Sequence, residues 1–177
     1  MLDKKSEILI DASKKVYAYL IDTISNIYDN AFSGNVKWTK NQVLQDFDAY
    51  MQAMLTTVAL SNGKLTQAEV ELIGSLTKYG TLFENLDIKL FANCNYEMRD
   101  RLRKICDEAL AKLPIACWLS GVVDIKQNKR VTKTILDNLI KLGFNLSSID
   151  GVADMISIKK ALKSITDFII EKQIKLN

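Results

Sequence analysis

The 177 residues are 48% hydrophobic, enough apolar material for a full core without disulfide or metal staples. The formal charge is only +3 and both signs are interleaved, so no concentrated basic face for nucleic acid is expected. Histidine is absent, which excludes Ser-His-Asp and Cys-His hydrolases and leaves carboxylates, lysines or a bound cofactor as routes to catalysis.

One proline and seven glycines favour long helices over many-turned β structure. Cys94, Cys106 and Cys117 are odd in number and show no CxxC spacing, so reduced, buried thiols in a cytoplasmic protein are expected. Residues 1–10 carry Asp3, Lys4, Lys5 and Glu7, so no signal peptide is expected. No stretch approaches about 18 apolar residues, so no membrane span is expected either.

The first helix is expected from about Asp3 to Asn30, with Leu9, Ala12, Val16, Leu20, Ile24 and Ile27 on one face. Thr39 caps a second, striped by Val43, Phe47, Met51, Met54, Leu55 and Val58 and stopped by Asn62-Gly63. Thr66 and Glu69 have the spacing of a capping box and open a third, with Val70, Ile73 and Leu76 inward and Gly80 at its end. A short helix is expected around residues 83–90.

The fourth spans roughly Asn95 to Leu113, with Glu97–Arg101, Asp100–Lys104 and Glu108–Lys112 in the favourable acid-first order. Pro114 breaks it. Ile115 to Val123 is apolar on all sides and reads as a helix buried at the centre of the domain. Thr132 caps the next, lined by Ile135, Leu136, Leu139 and Ile140 and ended by Gly143. Ser148 caps the last, with Asp150 in its first turn. Short connections throughout imply one all-α domain over residues 1–177, a compact bundle of about seven or eight helices.

The stretch Val58-Ala59-Leu60-Ser61-Asn62-Gly63-Lys64-Leu65-Thr66, followed by Glu69, resembles the signature turn of the TerB-like domain, the family named for tellurite-resistance proteins. The resemblance is strongest over residues 40–143. It implies an all-helical fold of two related halves. On a shift of 66 residues Asn62 meets Asn128, Lys64 meets Arg130, Leu65 meets Val131 and Thr66 meets Thr132, while Val70, Ile73 and Leu76 meet Leu136, Leu139 and Leu142. It also implies a non-enzymatic stress-response or membrane-associated signalling role, with divalent metal held by turn acids. The chain departs where that metal would sit: the family's Asp is Asn62, a weaker ligand for hard cations, and the second half has Asn128 and Ile135 in place of the acids. The metal candidates that remain are Asn62, Glu69 and Asp124, and no cofactor is expected.

Other constellations have plainer readings. Asp46 and Asp48 diverge around a helix and read as solvated surface acids. Asp124 reads as a boundary residue that caps a helix or pairs with a lysine. Lys126, Lys129, Arg130 and Lys133 form the densest basic cluster, which would either contact phosphates or flank a helix start in solvent. Trp38 reads as a hydrophobic staple and Trp118 as core. Met155, Ile158, Leu162, Ile165 and Ile169 read as ordinary core, with a homodimer seam as the alternative.

Three function classes follow: a binding module for a protein partner or small ligand, a metal-responsive sensor using the Asn62-Gly63 turn and Glu69, and an enzyme using Glu69 and Asp124. The binding module is the leading expectation, because no catalytic constellation is present.

Overall fold

Helix starts are set by which side chain reaches the free amides of the first turn. In the computed structural model, which describes residues 2–83, 91–92, 94–151 and 154–175, Asp3 accepts from the Ser6 amide at 2.7 Å and opens α1 (Lys4–Ala31). Thr39 and Gln42 form a capping box at α2 (Lys40–Leu60), and Thr66 and Glu69 form the expected one at α3 (Gln67–Ser75). Asn95 caps α4 (Tyr96–Leu110). Neither α5 (Ile115–Gln127), which starts after Pro114, nor α6 (Val131–Ser147) has a side-chain cap at its own N-cap residue. Asp154 caps α7 (Met155–Ala161), and α8 (Lys163–Lys175) follows after a break at Leu162. Each such cap contributes about 1 kcal/mol.

Among the described residues the fold is all-helical, with no strand, and forms one bundle. At its centre is α2, which packs against α1, α3, α4, α5, α6 and α7. Phe47, Met51, Met54 and Leu55 are fully enclosed, and each such side chain contributes roughly 1.5–3 kcal/mol by leaving water. This corrects the expectation for residues 115–123. That helix is apolar all round, yet Trp118 is 43% exposed and Ile125 lies open to solvent. Trp118 packs edge-on against Trp38, with ring centroids 5.7 Å apart, and does not enter the core.

Several boundaries move for identifiable reasons. On α1 the inward face passes through Ile10, Ser13 and Tyr17, so it is rotated by one position from Leu9 and Ala12 at the N-terminal end. The third helix stops at Ser75, because the amides of Lys78, Tyr79 and Gly80 turn away to a carboxylate on α2. Gly143 does not end α6 but sits inside it, where a Cβ would lie 3.0 Å from Ile158 Cγ1: the missing side chain is what lets α7 approach. Ser148 is the C-cap of α6, and Asp154 takes the expected place as N-cap of the helix that follows. The expected last helix is two, α7 and α8. The short helix expected around residues 83–90 lies, beyond Phe83, outside the described residues.

The stripe Met155–Ile169 is core. Ile158, Leu162 and Ile165 are fully buried, and Met155 and Ile169 pack against the core from its edge. Side chains consumed by the chain's own interior cannot also form a homodimer seam, so that alternative is withdrawn. Of the three expected ion pairs on α4, only Asp100–Lys104 closes among the described residues, at 3.1 Å and exposed; it contributes a few tenths of a kcal/mol, about the level of helix-surface pairs in general.

Candidate functional site

The Asn62-Gly63 turn folds as its sequence dictates. Gly63 takes φ +85°, the left-handed region that a side chain disfavours. The Asn62 side-chain oxygen accepts from the Lys64 amide at 3.2 Å, and its amide nitrogen donates to Asp150 at 3.0 Å, tying the turn to the α6–α7 connection. Glu69 is buried and accepts from the Thr66 amide at 2.8 Å and the Thr66 hydroxyl at 3.0 Å. Burial pushes its carboxyl up from 4.5 to about 7, and the neighbouring Asp150 charge adds to the rise against the pull of the Thr66 bonds.

Asp124 belongs to a different place. Its carboxylate accepts from the amides of Val131 at 2.5 Å and Thr132 at 3.0 Å, and pairs with Lys172 at 3.0 Å. It is therefore both cap and ion-pair partner, and it replaces Thr132 as the cap of α6. The Thr132 hydroxyl instead meets Ser120 at 2.8 Å. Asn62 and Glu69 thus sit with Asp150 at one turn, while Asp124 is committed to α6 and α8. The three metal candidates are not brought together, and no cluster of three or more Asp, Glu or Cys side chains suited to an ion occurs among the described residues.

The second turn is built differently from the first. Its left-handed residue is Asn128, at φ +50°, one position out of register with Gly63 on the 66-residue shift, and its cap comes from the preceding helix.

Asp48 is buried and Asp46 half-buried, so neither is the freely solvated surface acid expected. Asp46 accepts from the Ile115 amide at 2.7 Å and so caps α5 from across the core. Asp48 is buried. It accepts from the Tyr17 hydroxyl at 2.9 Å and from the amides of Lys78, Tyr79 and Gly80, the shortest at 2.7 Å. Burial raises both carboxyls above the ordinary aspartate range, and these donors pull them back. Gln52 extends the same anchor, accepting from the Leu82 amide at 2.9 Å and donating to the Gly80 carbonyl at 3.0 Å. These polar groups hold the connection after α3 in place.

With that connection fixed, α3 lies along the start of α1 and leaves a cleft of about 680 Å³. One wall is Glu7, Ile10, Asp11 and Lys14, and the other is Gln67, Val70, Glu71, Gly74 and Ser75; each recurs at helical spacing. Ile10 and Val70 are buried in its floor, with Leu2 at one end. Glu7, Asp11 and Glu71 stand exposed on its rim against one cation, Lys14, which lies 3.7 Å from Asp11. Three carboxylates and one ammonium leave the rim at −2, in a chain whose formal charge is +3. The volume falls within the range of ligand-binding pockets. Sequence reasoning missed this cleft; the only signal was the run Glu7, Asp11, Lys14 along the polar side of α1.

No protein-family model, curated protein or solved structure matches the chain.

Proposed function

We propose that the chain is a non-enzymatic binding module of TerB-like type, acting in the cytoplasm as part of a stress response, and that it receives a basic, apolar segment of a partner protein in the α1–α3 cleft. The observation that carries this reading is the pairing of an apolar floor with an acidic rim in an otherwise basic chain. Half-buried Leu2 and the small exposed remainder of Ile10 and Val70 give the floor its apolar character for a Leu- or Ile-like side chain, and Glu7, Asp11 and Glu71 select for Lys or Arg beside it. The helix–turn–capped helix at residues 58–69 supports the family part of the reading.

A displayed random-peptide library selected against the whole chain tests it. Recovered peptides should combine Lys or Arg with Leu, Ile or Phe, and should lose binding to the double variant Glu7→Lys/Glu71→Lys, whose sites are on the surface. Peptides without shared charge, or binding that survives the reversal, would refute the proposal.

A further inference from the structure

A second cavity, of about 320 Å³, lies between the α5–α6 turn and α8. It gathers cations from three elements: Lys129 and Arg130 from the turn, Lys133 from the first turn of α6, and Lys172 from α8. Against them stands one carboxylate, Asp124. Four cations and one anion leave the lining at +3, as much net charge as the whole chain carries. Of the basic cluster seen in the sequence, Lys129, Arg130 and Lys133 line this concavity while remaining exposed, Lys126 stays outside it, and the fold adds Lys172.

Two of these cations already have carboxylate partners. Lys133 is paired with Asp137 at 2.8 Å and Lys172 with Asp124 at 3.0 Å. Asp124 is pinned by the Val131 and Thr132 amides as well, so it cannot swing out to another cation. Lys129 and Arg130 have no carboxylate within ion-pairing distance among the described residues, and both are exposed. Two uncommitted cations beside two committed ones suit a dianion, and an arginine fork paired with a lysine point charge suits phosphate oxygens. Asn128, Gln173 and the Thr132 hydroxyl add uncharged polar groups to the same wall.

We infer that this cavity binds a phosphate group of a small molecule or a lipid headgroup, independently of the α1–α3 cleft. Its concave form and small volume favour one phosphoryl group over the extended backbone of a nucleic acid; Phe168, whose ring centroid lies 5.6 Å from Lys172 Nζ, is half-buried against Gly121 and offers no open stacking platform.

The test is calorimetric titration of the full chain with inorganic phosphate and pyrophosphate at constant ionic strength, alongside sedimentation with phosphatidylcholine vesicles with and without phosphatidic acid. The double variant Lys129→Gln/Arg130→Gln should weaken phosphate binding, or binding to phosphatidate vesicles, by about tenfold or more. Lys126→Gln, a neighbouring cation outside the lining, should change neither. Binding of the inorganic ions alone assigns a free phosphate; binding of phosphatidate vesicles alone assigns a headgroup. The proposal fails if neither probe binds, if the double variant binds as well as the parent, or if Lys126→Gln costs as much as the double variant. Tighter binding of a single-stranded oligonucleotide than of pyrophosphate would also overturn it. Thermal melts of both variants verify that each is folded.

Discussion

Glu69 offers the sharpest check on how this turn is built. Its carboxyl is buried in the capping box and titrates at about 7 instead of 4.5. A folded-state value above the unfolded one means that folding takes up a proton. The neutral form's advantage is fully present below about pH 4.5 and is lost as pH rises through about 7. The shift corresponds to roughly 3 kcal/mol. Glu69→Gln removes the ionisation and keeps an oxygen to accept from the Thr66 amide, since glutamine serves in capping boxes. The helix dipole works the other way, favouring a negative charge in the first turn by about 0.3–1 kcal/mol, so desolvation wins. Urea unfolding of both proteins across this pH range isolates the residue from every other titrating group. The variant should match the parent in acid and exceed it by roughly 2–3 kcal/mol above about pH 8. A difference that stays constant with pH, or a variant that falls behind as pH rises, would refute the reasoning.

Other outcomes follow from the packing. A Cβ on Gly121 would lie 2.6 Å from Phe168 Cζ; Gly121→Ala should therefore lose about 1–3 kcal/mol in urea unfolding despite a gain in helix propensity of about 1 kcal/mol, and adding Phe168→Leu should recover part of it. Asp48→Ala strands the Tyr17 hydroxyl and three amides and should cost roughly 3–5 kcal/mol, whereas Asp46→Ala strands one amide and should cost about 1 kcal/mol; equal losses would contradict these assignments. Burial pushes the Cys106 thiol up to about 12 and raises that of Cys117 as well, while Cys94 is half-buried. Alkylation of the native protein should label Cys94 first, and the other two only in denaturant, as peptide mapping would show.

What could be read in the sequence was what its neighbours decide. Thr39, Thr66 and Asn95 cap helices through bonds to residues three positions on, so those starts were legible. The roles of Asp46 and Asp48 were not, because their partners lie about 30 to 69 residues away and no local spacing announces them. Hydrophobicity also misplaced the centre. Residues 115–123 look more apolar than α2, yet α2 is the enclosed helix: its buried Asp48 and Gln52 spend their polarity on distant amides. Asn62 and Glu69 were found together at their turn, but Asp150 joined them only through the fold, and the α1–α3 cleft arises between segments about 60 residues apart.

The cap of α5 bears on the order in which the chain folds. Pro114 supplies no side-chain acceptor there, and the Ile115 amide is met by Asp46, 69 residues earlier. This helix therefore starts unstapled until α2 is in place, and α5 is expected to consolidate after the rate-limiting barrier, against a nucleus of α2 and its earlier partners. Kinetic φ-values near zero for Asp46→Ala, with higher values for core truncations in α2, are the expected signature; a value near one would place α5 in the nucleus instead.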